Sequence, residues 1–220
     1  TTWREENGRT YIPLYFEPEG SRFIVFRKKG AAPHVAKLSG DSRLILPPTL
    51  PSTVQPITGP WNISFDTAWG GPAQIQTDTL QSWTEFKDTG IKYYSGTAVY
   101  KKDFTIGGDR LKGTKTVLDL GNVLEMASIT LNGHKMPVRW CAPFQFDITP
   151  YIHAGNNQLE VEVVNLWANR LIGDSRLPEG QRRTRTNIKK FDEPGSEKYL
   201  RVSGLLGPVM VRFYPVGPVR

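Results

Sequence analysis

The sequence predicts an all-β sandwich or barrel, and three observations predict it. Short apolar runs recur from Thr97 to Phe213, several alternating with period two. Turn residues separate them: Asn132-Gly133, Asp147-Ile148-Thr149-Pro150 and Ala154-Gly155-Asn156-Asn157. Asn-Gly between two such runs is the strongest short-range hairpin signal. Many short strands with turns at regular spacing fit a sandwich or barrel.

The chain has 220 residues, enough for one domain or one domain with a small appendage. Residues 1–30 read as a terminal hairpin. Tyr11–Phe16 and Arg22–Arg27 are β-rich, and Glu17-Pro18-Glu19-Gly20 supplies the turn. Two strands alone are not stable in water, so the hairpin must pack on something. Residues 31–56 read as a linker, with Pro33, Pro47, Pro48, Pro51 and Pro56 favouring an extended tether. Leu44-Ile45-Leu46 could form a short docked strand within it.

Residues 57–220 read as the sandwich. Trp61-Asn62-Ile63-Ser64-Phe65 alternates as a half-buried strand does. Gly70-Gly71-Pro72 then breaks the regular pattern, and Ser82-Trp83-Thr84-Glu85 predicts a single capped helical turn. Strands are expected at Thr97–Phe104, Thr116–Leu120, Ser128–Leu131, Lys135–Arg139, Gln145–Ile148, Gln158–Asn165 and Val209–Phe213. Ala168–Tyr199 is long, polar and without clear periodicity, and reads as a loop.

Composition narrows function. No run is long enough to cross a bilayer. Thr1–Glu6 lacks the apolar core of a signal peptide, and an opening other than Met reads as a fragment. Cys141 is the only cysteine, so no internal disulfide forms. Net charge is +7, and Arg170–Arg201 carries nine Lys/Arg against five Asp/Glu. Aromatic residues are not interleaved with that charge as in nucleic-acid platforms. A solvated basic loop is the plain reading; an acidic-glycan or inter-domain contact is the sharper one.

The pieces also occur in a telling order. Tyr94–Phe104 is a strand ending in a basic residue and Phe; Leu131-Asn132-Gly133, Phe146-Asp147-Ile148-Thr149, Gly155–Leu159 and Ser203–Val209 come after it. From about Gly59 to Tyr214 this resembles the jelly-roll sugar-binding domain of family-two glycoside hydrolases. A narrower resemblance rests on Gly59-Pro60-Trp61, Trp69–Pro72, Gly90–Gly96, Asn165–Asp174 and Ser203–Pro208. These look like the C-terminal module of bacterial α-L-rhamnosidase-type glycoside hydrolases. The resemblance implies a galactose-binding-domain-like jelly-roll sandwich preceded by a hairpin and a Pro-rich linker. Residues 1–30 would then be the tail of an upstream β-domain. The implied partners are the catalytic and other domains of one parent polypeptide, and glycan, in a periplasmic or secreted setting; nucleic acid and membrane insertion are not implied. The resemblance also allows a structural calcium, although no acidic cluster marks one, and no other cofactor is expected.

Glycoside hydrolysis needs two carboxyl groups flanking the bond. Asp147 sits in a turn, Glu160 and Glu162 alternate with apolar residues on a solvent face, and Asp174, Asp192 and Glu193 lie in the long loop. No complete catalytic site is expected in this chain. His34, His134 and His153 have no metal-ligand spacing, and Gly107-Gly108 is no phosphate cradle.

Binding has better material, because sugar C–H faces stack on aromatic rings. Trp69, Trp83, Tyr93, Tyr94, Trp140 and Trp167 are candidates, with Asn169, Arg170, Asp174 and Arg176 as polar partners. The plainer reading makes Trp61, Trp140 and Trp167 core or corner plugs. Arg170 and Asp174 are spaced to pair with each other. The expectation is a non-catalytic accessory module of a glycoside hydrolase. An independent carbohydrate-binding module and a structural protein-interaction sandwich are the alternatives.

Overall fold

Ten consecutive residue pairs join the two longest strands, Thr97–Ile106 and Gly155–Val164, and the rest of the sandwich is built outward from them. The computed structural model describes residues 4–12, 16, 21, 23–26 and 50–216, and divides into two units, Thr1–Leu50 and Pro51–Arg220.

In the first unit β1 (Arg4–Glu6) and β2 (Arg9–Tyr11) pair antiparallel. Asn7 and Gly8 between them have φ of 51° and 70°, the two-residue turn that suits the twist of paired strands. This hairpin lies closer to the N-terminus than the expected one. Of the expected second strand, Phe23–Phe26 are exposed and in no strand. The turn Glu17–Gly20, Leu44-Ile45-Leu46 and most of the linker lie outside the described residues.

The second unit opens with β3 (Thr53–Pro56), inside the stretch that proline density marks as linker. β4 (Trp61–Phe65) is next, then a turn at Thr67–Trp69 and the short β5 (Ile75–Thr77). Ser82 caps the turn Trp83–Glu85 by accepting from Thr84 N, as the capping box predicts. Asp88 caps α1 (Thr89–Lys92) in the same way. Then come β6 (Thr97–Ile106), β7 (Thr114–Asp119), β8 (Asn122–Leu124) and β9 (Met126–Leu131). Asn132 and Gly133, at φ of 50° and 83°, turn β9 into β10 (His134–Lys135). Pro137 interrupts that pairing, which resumes as a single bridge between Arg139 and Ala127. β11 (Gln145–Asp147) and β12 (Gly155–Val164) lead to α2 (Ala168–Ser175) and α3 (Lys189–Asp192). The last elements among the described residues are β13 (Gly204–Gly207) and β14 (Met210–Pro215).

A six-stranded sheet, ordered β10-β9-β12-β6-β4-β5, faces a four-stranded one, β11-β7-β14-β3; β8 and β13 form a small third ladder. Alternation fills the space between them. Trp61, Ile63 and Phe65 point inward from β4, Leu159, Val161 and Val163 from β12, and Val211 and Phe213 from β14. The fold is the all-β sandwich that the turn spacing predicts.

Trp83 plugs one end of this core with no exposed surface. Its ring meets Phe65 at 5.7 Å and Tyr94 at 5.6 Å, both edge-on. Its indole N–H donates to Tyr100 Oη at 2.6 Å, and Leu205 N donates to the same oxygen at 3.2 Å. Gly204 lies flat against the indole: a Cβ there would stand 2.6 Å from Trp83 Nε1.

Burial pushes the Tyr100 hydroxyl up from 10.0 to about 12, against the two hydrogen bonds it accepts. The folded state thus holds this proton more tightly than the unfolded chain. Its contribution to stability is complete below pH 10 and is lost as pH rises from 10 to about 12. Two pH units correspond to about 3 kcal/mol. Stability at pH 9 and 11.5 is expected to differ by about 2 kcal/mol in urea unfolding, since pH 11.5 stops short of the folded-state value, and Tyr100→Phe is expected to flatten the difference.

Candidate functional site

The loops at the end of the sandwich nearest α2 are held by buried polar side chains. Asn165 closes β12, donating to Tyr94 O (2.9 Å) and Ser203 Oγ (3.1 Å) and accepting from Gly96 N (2.9 Å). One turn later Asn169 clasps residue 201, accepting from its N and donating to its O, both at 2.8 Å. Ser95 Oγ accepts from Arg170 N at 3.0 Å and donates to Leu166 O at 2.9 Å. These bonds fix α2 against the sandwich although Trp167 at its N-cap gives no side-chain cap.

Arg170 and Asp174 form an ion pair at 2.9 Å, with side chains 5% and 2% exposed. The Nε of Arg170 finds no hydrogen-bond partner, and Asp174 Oδ1 meets only this charge contact. Burial draws the Arg170 guanidinium down in basicity; Asp174 opposes this and Arg183 adds to it. The other Asp174 oxygen accepts from Arg183 N (3.0 Å), Thr184 N (2.6 Å) and Thr184 Oγ1 (2.6 Å). Arg170 Nη1 donates to Trp69 O at 3.2 Å, and Arg183 Nε to Ala68 O at 3.1 Å. One buried pair therefore joins three segments: the turn 67–70, α2 and residues 183–184.

The ten predicted contact residues divide sharply. Trp83, Tyr94 and Asn169 have no exposed surface, and Asp174, Arg170 and Tyr93 retain 1%, 4% and 6%. Burial withdraws these six from direct sugar contact; they position the loops instead. Tyr93 Oη donates to Glu197, which Lys92 (3.3 Å) and Arg176 (3.4 Å) also approach. Arg176 also lies over the Tyr93 ring. Trp61 is the core plug expected, but Trp140 and Trp167 are 74% and 60% exposed. Trp167 meets the half-buried Trp69 edge-on, centroids 5.6 Å apart and planes at 85°. Trp140 stands apart on the loop with Val138 and Cys141.

Sequence reasoning missed Ser95, Arg183 and Ser203. Each has a partner far along the chain, 75, 115 and 121 residues away, that no local pattern marks; Ser95 and Ser203 stand within the quoted motifs, but without a role there.

Among the described residues, the carboxylates whose acidity the fold shifts are held toward the ionised form. Hydrogen bonds from Lys135 and Ser128 do this for Glu162, and from Tyr93 and Lys92 for Glu197. Burial pushes Asp147 up, but bonds from Thr149 and Lys115 outweigh it. A general acid of a glycosidase needs the opposite shift. Among the described residues no three His, Cys, Asp or Glu side chains gather to hold a metal, so the structural calcium that the resemblance allows finds no such cluster.

A protein-family model described as "Glycosyl hydrolases family 2, sugar binding domain" matches residues 54–211. The chain belongs to this family. The match covers β3 to the start of β14, so the sugar-binding domain is the second structural unit. The chain is 34% identical to a rhamnosidase from Novosphingobium sp. PP1Y, with a TM-score of 0.73 over 96% of this chain and 19% of that one. A curated relative from Formosa agariphila, named "Putative beta-glucuronidase", is 32% identical over 94% of this chain and 22% of its own length. A β-D-glucuronidase of Dictyoglomus thermophilum shares the fold at 20% identity, with a TM-score of 0.52 over 74% of this chain and 28% of that one. The chain thus spans about a fifth of the length of the first two.

Proposed function

We propose that this sugar-binding domain is a non-catalytic accessory β-sandwich of a bacterial glycoside hydrolase, packing against the catalytic domain of the same polypeptide and contacting glycan. One observation carries the reading: exposed apolar side chains gather beside the start of β9. Met126 is 38% exposed, Val138 57% and Trp140 74%. Val138 and Trp140 flank Arg139, which bridges Ala127, and Met126 precedes Ala127. A domain leaves such a patch bare when another surface covers it. The likeness to the rhamnosidase supports a rhamnosidase-like parent enzyme, which the sequence resemblance makes α-L-specific. A periplasmic or secreted setting is part of the same proposal.

The test is an assay of the purified chain on aryl α-L-rhamnosides and aryl β-glucuronides. No turnover above background is expected, together with binding of a hydrophobic dye that Trp140→Lys and Val138→Lys reduce. Hydrolysis that disappears when a single carboxylate is changed would overturn the proposal.

A further inference from the structure

The aromatic pair at the mouth of α2 stands beside a guanidinium with unused donors. Trp167 is 60% exposed, and its plane lies at 85° to that of Trp69. Two indoles at right angles present apolar faces of the size of a pyranose ring. Arg183 is placed from both sides: its backbone N donates to Asp174, and its Nε donates to Ala68 O, one residue before Trp69. Among the described residues its two Nη groups have no hydrogen-bond partner, and no carboxylate lies within ion-pair distance. A Cβ built on Gly70, the residue after Trp69, would stand 2.9 Å from Arg183 Cζ and 3.3 Å from Arg170 Nη1. Two guanidinium groups therefore converge at the base of the aromatic corner.

The nearby acids do not cancel Arg183. Asp174 is buried and paired with Arg170. Asp66 directs Oδ1 to Ala68 N at 2.9 Å within its own turn. A planar guanidinium with two free donor groups matches a carboxylate or a sulfate ester.

We propose that the Trp69–Trp167 corner, with Arg183, is a subsite for an anionic pyranose, a uronate or a sulfated sugar of an acidic polysaccharide. The proposal rests on the accessory-domain reading above and adds the ligand class. The pyranose ring stacks on Trp167 and its acidic group meets the Arg183 Nη groups.

The experiment is calorimetric titration of the 220-residue chain with hexasaccharides of hyaluronan (carboxylate), carrageenan (sulfate) and cellulose (neutral), in low and high salt. One acidic hexasaccharide is expected to bind at least about tenfold more tightly than the neutral one, and less so in high salt. Whether hyaluronan or carrageenan wins identifies the acidic group. Arg183→Ala is expected to erase that preference, and Trp167→Ala to weaken acidic binding by about tenfold or more. Both side chains are exposed, so unfolding midpoints are expected to move by no more than the loss of the one Arg183 Nε–Ala68 O hydrogen bond explains. Equal affinity for acidic and neutral sugars, no binding at all, or a preference that survives Arg183→Ala would each overturn the subsite. None of those results touches the accessory-domain reading, which falls to hydrolysis by the chain.

Discussion

Asp174→Ala is expected to cost about 3–5 kcal/mol of stability, the range for removing one partner of a buried ion pair. The change leaves the Arg170 charge uncompensated at 4% exposure. It also strips the acceptor from Arg183 N, Thr184 N and Thr184 Oγ1. Asp174→Asn keeps an acceptor for the two backbone amides and should lose less. The double change Arg170→Met with Asp174→Leu removes both charges and should recover much of the loss, because the desolvation cost disappears with them. Equilibrium urea unfolding of the parent and these three variants decides it. Limited proteolysis adds a local reading: cleavage near residues 182–186 should rise in Asp174→Ala before global stability fails. If the double variant is no more stable than Asp174→Ala, the pair is not the source of the loss.

Trp83→Ala is expected to cost about 3–5 kcal/mol, the range for deleting a large buried aromatic side chain. Phe65 and Tyr94 lose their edge-on partner, and Tyr100 Oη loses the indole donor. The hole cannot close easily, because the backbone at Gly204 is already pressed on the indole from the other side. Trp83→Phe restores most of the volume without the N–H and should recover about half of the loss. Denaturant midpoints provide the check. A Trp83→Ala protein within about 1 kcal/mol of the parent would show that the site collapses far better than its packing implies.

The two predictions draw on parts of the fold that were unequally legible in the sequence. β4 was readable to the residue, because Trp61, Ile63 and Phe65 alternate with polar neighbours and are buried on that period. β6, β7, β9, β11, β12 and β14 were readable within a few residues for the same reason. β3 was hidden by its own Pro56, since proline density reads as linker when it also ends an edge strand. α2 was hidden more deeply. Its buried residues are Asn169, Arg170, Ile172, Gly173 and Asp174, so the inward face is mostly polar and hydrophobic periodicity is inverted. Only the four-residue spacing of Arg170 and Asp174 showed through, and the structure pairs them. Trp83 and Trp167 exchange the roles that context suggested. The first is in the core and the second on the surface, decided by loops that pack from far along the chain.

The order of the four-stranded sheet bears on how the chain is made. β14 is the last strand among the described residues, yet it lies between β7 and β3, with Thr53 opposite Phe213 and Thr116 opposite the same residue. During synthesis the six-stranded sheet has all its members once β12 has emerged. Its inner face of Trp, Tyr, Leu and Val must then wait for residues 210–215 before a complete second layer can cover it. A ribosome that stalls, or a reading frame that ends, anywhere before β14 releases a half-built sandwich with its greasiest surface open. Such a product is a substrate for chaperones and proteases rather than a smaller working domain.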